Sequence, residues 1–310
     1  MNSIATPTEP NPPMRPPQLL NMQGFARKLL QNRTWLIVFF LLDIWVISAI
    51  QTNPEITKVW DYVVPGLAAT IRITVISFIV AVVLGLIVAF GRISKNIIIY
   101  NLATLYVELF RGLPLLVIIL IFNFVLTPAL VSVVVGPSDS ATANIPFLDD
   151  FLQRLVGIPE KDIPTTVLRT RDIDPEVRIM LAFAVTYAAF MSEVFRAGIE
   201  SIGRGQVEAG RSLGMNYLQV MYYIILPQAI RNVLPALANN FVFLLKDTSL
   251  ASTVAVPEIS YLTRQYSSNN FRYPEGLVVL AFLYANLTII LSLGTVYLEE
   301  RLHKDRANAR

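Results

Sequence analysis

The sequence predicts an all-α, polytopic bundle of membrane-spanning helices, and three observations predict it. Charged residues make up 15% of the 310 positions, where a soluble domain carries about 25%. Hydrophobic residues make up 54%, and the mean hydropathy is +0.56. Apolar runs of the length a helical crossing needs, about 20 residues, recur along the chain. Inside lipid the backbone has no water to bond, so each run closes its own hydrogen bonds as a helix. There is no cysteine, and His303 is the single histidine. This leaves no basis for disulfides, thiol catalysis, Cys/His metal sites or a buried imidazole base, and the expected function is not enzymatic. The net charge of +3 comes from basic residues spread along the chain. They read as topology determinants and not as a nucleic-acid footprint.

Residues 1–31 carry Pro7, Pro10, Pro12, Pro13, Pro16 and Pro17 among small polar residues, a composition that buries no core and predicts a disordered tail. The first apolar run, Trp35 to Ile50, has no small-residue cleavage site after it. It is expected to persist as an anchor within residues 32–61, with Asp43 at its middle facing a neighbouring helix. Gly66 to Phe90 is the clearest span, and Arg72 near its outer end is placed to snorkel. Ala81, Gly85 and Ala89 form an i, i+4, i+8 ridge of small residues, which favours close approach of another helix over contact with lipid. The apolar stretch from Ile97 to Val135 is far too long for one straight crossing at ~1.5 Å per residue. Arg111-Gly112-Leu113-Pro114 supplies the necessary break, because proline removes an amide donor and pushes the residue before it out of helical geometry. A crossing from 113 to 130 follows.

Residues 136–177 form a polar connection longer than a turn requires, and are expected to pack against a partner outside the membrane. Spans at 179–199, 232–245 and 277–298 complete six, with a hydrophilic stretch at 200–227 between the first two of these. Glu108 with Arg111 and Glu193 with Arg196 are i, i+3 pairs, read as neutralisation of charge near a membrane face. Trp35, Trp60, Tyr62 and Tyr297 at span ends read as interfacial anchors. Six crossings put both ends on one side, and that side carries most of the Lys and Arg outside the spans. The opposite side has only Lys58, Arg154, Lys161, Arg169, Arg171, Arg264 and Arg272. Positive charge marks the cytoplasm, so both termini are expected inside and the segments 136–177 and 248–275 outside.

Gly205 to Ser212 reads G-x-x-x-x-G-R-S, one residue from a phosphate-binding loop. Arg211 stands in place of the lysine and no strand precedes it, so nucleotide binding is not predicted. Two short helices fit the residues better. Gln206 to Leu213 would be one, closed by Gly214 in left-handed geometry; Asn216 with Gln219 would open the next as a capping box. With Ala209 and Gly210 toward the cytoplasm, the first helix has few side chains to hold a partner away. An ordinary cytoplasmic turn fits the same residues.

Glu208-Ala209-Gly210, then Gly214, then Ile224-Ile225-Leu226-Pro227 resembles the EAA loop of ATP-binding-cassette (ABC) importer permeases. Tyr106-Val-Glu-Leu-Phe-Arg-Gly-Leu-Pro-Leu-Leu, Ser192-Glu-Val-Phe-Arg-Ala-Gly-Ile-Glu-Ser-Ile, Leu226-Pro-Gln-Ala-Ile-Arg-Asn-Val-Leu-Pro and Leu244-Leu-Lys-Asp-Thr-Ser-Leu resemble the polar amino-acid branch of that family. The resemblance implies a type I importer permease core at 62–302, with one extra N-terminal span before it and an external insertion at 136–177. It implies a bacterial inner-membrane complex of this chain with a second permease, two cytoplasmic ATPase subunits and an external, periplasmic amino-acid-binding protein. ATP and Mg would sit on the ATPases, with no cofactor in this chain. The extra anchor and the insertion resemble the general L-amino-acid transporters, which pair two different permeases. Gly210 departs from the family's usual alanine, at a helix cost of about 1 kcal/mol, and Leu113 replaces a usual threonine.

Glu208, Ala209, Gly210, Arg211 and Gly214 are therefore the expected ATPase-coupling residues, with Ala209 and Gly210 in the partner's groove. Asn240, Lys246, Asp247 and Thr248 are expected to line the outer half of a substrate path. An amino acid is a zwitterion, and adjacent Lys and Asp offer both signs. Two rival classes remain at this point: a self-contained channel or secondary transporter, which would favour paired repeat halves not found here, and a scaffold that only anchors a complex.

Overall fold

The computed structural model describes residues 35–130 and 173–308, and the chain divides into one unit through Thr52 and another from Asn53. The N-terminal tail and nearly all of the 136–177 insertion lie outside the described residues. In the first unit the described part is a single helix, α1 (Trp35–Thr52), which exposes Phe40, Leu41, Ile44 and Trp45.

The second unit begins with α2 (Pro54–Val63), opened by Asn53, whose side chain accepts the Glu55 amide at 3.0 Å. There follow α3 (Gly66–Ile93), α4 (Ile97–Gly112) and α5 (Leu115–Ile121). A π-turn at Phe122–Leu126 continues α5, and its widened ladder is bridged by Thr127 Oγ1 donating to the Phe122 carbonyl at 2.6 Å. Then come α6 (Pro175–Glu200), α7 (Arg204–Ser212) and α8 (Tyr217–Val220). After a second π-turn at Met221–Ile225, α9 (Leu226–Asp247) runs into a 3-10 turn at Thr248–Val254. Last are α10 (Ile259–Asn270) and α11 (Tyr273–Asn308).

The α3–α6 pair is the centre of the core. Ala81 and Ala89 are fully buried, and a Cβ added at Gly85 would lie 2.9 Å from Met191 Cβ, so the small-residue ridge faces protein as its spacing implies. Phe183, Tyr187 and Met191 of α6 meet Ile73, Ile118 and Leu244 from three other helices. A second cluster joins α2 to α10 and α11 through Val59, Val63, Ile259 and Val279. Trp60 packs edge-to-face on Phe282 at 5.9 Å in that cluster, and the Tyr62 hydroxyl donates to Gln265 at 2.8 Å. Both serve helix packing, where span-end position alone suggested interfacial anchors.

Three helical stretches among the described residues are long and apolar enough to cross a membrane: Pro54–Ile93, Pro175–Glu200 and Tyr273–Glu300. The pair Ile97–Gly112 and Leu115–Leu130 adds a fourth, bent by 107° at the break that Gly112 and Pro114 predict. Of the remaining expected spans, α1 is short. The 22-residue α9 is long enough at ~33 Å but less apolar. It packs against α3, α6 and α11, which leaves less of its surface to face lipid. Arg72 does not simply snorkel. Its Nε and Nη2 reach both oxygens of Glu176 at 2.5 Å, tying α3 to the start of α6.

Candidate functional site

The stretch at 200–227 folds as the two capped helices its sequence predicts. Gly214 has φ +79°, its amide donates to Arg211 O at 2.9 Å, and the Met215 amide donates to Gly210 O at 3.1 Å. That doubly bonded ending needs a left-handed residue, which glycine takes without a Cβ clash. Asn216 and Gln219 exchange side-chain and backbone bonds at 2.9 Å to open α8.

The predicted coupling residues divide between two faces. Glu208, Ala209, Arg211 and Gly214 are exposed. Gly210 is buried, and a Cβ there would lie 2.8 Å from Ile224 Cδ1 and 3.0 Å from Val220 Cγ2. This corrects the expectation that Gly210 is offered to a partner: its missing side chain admits the chain's own next turn. The exposed face instead adds Leu213, Tyr217 and Leu218 beside Ala209. These apolar side chains escaped the sequence reading, although they interrupt an otherwise polar stretch.

Near this loop, Glu193 of α6 bridges three helices. It accepts from Arg92 of α3, from Arg111 at the end of α4 at 3.2 Å, and from Arg196 at 2.9 Å. Arg196 also reaches Glu200 at 2.7 Å, and the Arg111 guanidinium lies 5.7 Å from the centre of the Phe190 ring. The expected Glu193–Arg196 pair is present. Arg111 reaches Glu193 in place of the expected Glu108, because α4 packs against α6.

At the other end of α9, the expected substrate-path residues diverge. Asp247 accepts the Tyr187 hydroxyl of α6 at 2.6 Å. Thr248 is buried and donates to Leu245 O at 2.6 Å, while Asn240 donates to Ala236 O at 3.0 Å. Lys246 alone points elsewhere, with Nζ 5.9 Å from the Phe243 ring centre and its exposed side chain at an open pocket of about 430 Å³. Ser249, Tyr284, Ala285, Thr288 and Ile289 line the rest. Adjacent helical residues point about 100° apart, which is why Lys246 and Asp247 do not share a ligand-facing side. Behind the pocket, in the connection between α9 and α11, Glu258 is fully buried. It takes the Ser260 amide at 2.8 Å, the Tyr261 amide at 2.7 Å and the Tyr284 hydroxyl at 3.0 Å. Burial pushes its carboxyl above the ordinary carboxylate range, opposed by these bonds. Glu258 and Tyr284 carry no sequence signal of their own, since only the fold brings Tyr284 to the pocket with Lys246 and pairs it with Glu258.

Residues 81–304 match the family model described as binding-protein-dependent transport system inner membrane component. The chain is 34% identical over 239 residues to the probable glutamine ABC transporter permease protein GlnM of Bacillus subtilis (strain 168), covering 77% of this chain and 92% of that protein. It is 32% identical over 248 residues to the L-cystine transport system permease protein TcyB of the same organism, covering 79% and 88%. Among solved structures, an amino acid ABC transporter crystallised with histidines matches with a TM-score of 0.62 at 27% identity, over 80% of this chain and 97% of that one.

Proposed function

From the premise that the chain belongs to the binding-protein-dependent transport system inner membrane components, and is an ABC permease subunit, we propose that its cargo is amino acids. In this reading it works with a second permease, two ATPase subunits that hold ATP and Mg, and an external binding protein that delivers the amino acid. The observation that carries the reading is the 200–227 loop: a short helix closed by Gly214, with a thin exposed face at Ala209 and an apolar flank at Leu213 and Leu218. Such a face suits docking in a groove of a cytoplasmic ATPase. Glu208 and Arg211 stand at its edge for polar contacts, and Lys246 marks the substrate path. ATP-driven uptake of radiolabelled amino acids into vesicles bearing the whole complex, with and without the ATPase subunits, tests the reading. Uptake without the ATPase would favour a self-contained carrier.

The two faces of α7 separate docking from folding. Ala209→Leu is expected to lower uptake per ATP hydrolysed at least tenfold while insertion and thermal stability hold. Gly210→Leu is expected to lower stability first, because the new side chain meets Val220 and Ile224. Gly214→Val forces a β-branched residue to positive φ, at about 1–2 kcal/mol. Unchanged coupling in Ala209→Leu would place the docking face elsewhere.

The bias of Lys and Arg supports both termini being cytoplasmic and the 136–177 and 248–275 segments being outside. The cysteine-free chain is suited to the test. A single cysteine at Asn269, exposed in the last turn of α10, is expected to react with an impermeant thiol reagent from outside whole cells. Labelling only after the membrane is opened would reverse the orientation.

A further inference from the structure

We propose that Phe271, held out at the tip formed by α2, α10 and α11, is the anchor on which the external binding protein seats an apolar pocket. This rests on the reading above that such a protein delivers the amino acid, and it names the residue of this chain that the protein grips.

The place of the tip follows from length and contacts. Pro54–Ile93 is one helical stretch of 40 residues, ~60 Å at ~1.5 Å per residue and about twice the ~30 Å thickness of a hydrocarbon core. The end that projects is α2, which carries Glu55, Lys58 and Asp61, whereas Gly66 to Phe90 is apolar apart from Arg72. The polar α10 lies along α2. The Tyr62 hydroxyl donates to Gln265 at 2.8 Å, the Tyr62 and Tyr266 rings are 5.3 Å apart, and Arg272 Nε lies 3.3 Å from Glu55 Oε2. From Glu55 to Gly66 the helix rises ~16 Å, so the tip stands clear of the apolar span and its exposed ring calls for a protein and not for acyl chains. At the other end of α3, Ile93 packs against Val220 and Ile225 of the 200–227 loop. The ATPase face and the tip therefore lie at opposite ends of the span.

The ring is set there at a cost. Phe271 has φ +56° and is 87% exposed. Left-handed backbone is an outlier for a bulky side chain, and Asn269 and Asn270, of the type that tolerates it better, stand just before. Burial within the chain repays almost none of this strain, which is the mark of a position kept for a partner. The backbone is nonetheless fixed. The Phe271 amide donates to Ser267 O, and the Arg272 amide donates to the same oxygen at 3.1 Å. The Arg272 guanidinium is clasped by Glu55 and, at 3.2 Å, by Glu275. A fixed aromatic side chain loses little entropy on binding, which suits an interface anchor. Around it Ser268, Asn269 and Asn270 are exposed, and Ser268 Oγ shares a hydrogen bond with the Tyr273 hydroxyl at 2.9 Å. The nearby charges of Glu55, Lys58, Arg272 and Glu275 are paired with one another. The matching surface is thus uncharged and hydrogen-bonding, with one apolar pocket for the ring.

The test uses the whole complex in nanodiscs and, as probe, the purified amino-acid-binding protein that stimulates ATP hydrolysis by the wild type. The half-saturating concentration of that protein is measured together with the maximal stimulated rate and the melting temperature. Phe271→Ala is expected to raise the half-saturating concentration by roughly tenfold or more, with the maximal rate within about twofold of wild type. Phe271→Gly is expected to weaken binding equally while raising the melting temperature, since glycine takes positive φ without strain. Phe271→Trp, which keeps an aromatic anchor, is expected to stay within about threefold of wild type. Unchanged half-saturating concentrations in Phe271→Ala and Phe271→Gly would overturn the proposal. So would a lower melting temperature in both, which would make the ring part of the fold or of a lipid contact. If no amino-acid-binding protein stimulates the wild-type complex, the broader reading fails. If one does and the variants respond as the wild type does, only this anchor fails.

Discussion

Glu193→Ala is expected to destabilise the permease by about 3 kcal/mol, the low end of the cost of stripping one partner from a buried ion pair. One carboxylate is shared among Arg92, Arg111 and Arg196, from three helices. Arg92 has only 10% of its side chain exposed; it reaches Glu193 through Nη1, and its buried Nε has no hydrogen-bond partner among the described residues. Without Glu193, a guanidinium charge would be left in a poorly solvated position between α3 and α6. Arg111 is 42% exposed, so Arg111→Gln removes a pair that water largely screens and is expected to cost under about 1 kcal/mol. Thermal unfolding of the purified complex in detergent reads the difference. The double variant Glu193→Gln/Arg92→Gln is expected to recover part of the loss, because it removes the unpaired charge. Equal midpoints for Glu193→Ala and Arg111→Gln would mean that the cluster is no clamp.

Gly66→Val is expected to cost about 3 kcal/mol, the upper part of the usual range for overpacking. A Cβ at Gly66 would lie 2.8 Å from both Glu258 C and Ile259 N, which are backbone atoms with no rotamer to yield. The peptide it would displace opens α10, where the Ile259 amide also donates to Thr70 Oγ1 at 3.4 Å. Moving it disturbs the Glu258 cap and the Tyr284 hydroxyl at the pocket, so uptake should fall together with stability. Gly294→Ala on α11 is the control, since nothing lies within 4 Å of the added atom there. It is expected to be neutral or slightly stabilising, as alanine is the better helix former. If Gly66→Val matched Gly294→Ala in melting temperature and uptake, the close approach of α3 to α10 would not matter to the protein.

Local chemistry alone determined much of this protein. The apolar runs fix helices because lipid offers the backbone no other partner. Gly112 and Pro114 fix the bend between α4 and α5, since a missing amide and a restricted preceding residue act wherever the chain goes. The spacing of Gly214, Asn216 and Gln219 fixes both caps of the 200–227 loop, and the loop together with the motifs around it carries the family resemblance. The tertiary structure decided which face each residue presents and which distant residue it meets. Gly210 lies beside Ala209 in sequence, yet Val220 and Ile224 turn it inward. Lys246 and Asp247 were adjacent opposite charges until packing gave Asp247 to Tyr187 and left Lys246 to an open pocket shared with Tyr284. Arg111 had an i, i−3 partner in Glu108 and took Glu193 from another helix. The reason is common to all three. Caps and breaks depend on a few consecutive residues, whereas long-range pairing depends on how the helices pack, and nothing in the spacing of one helix specifies the face of the next.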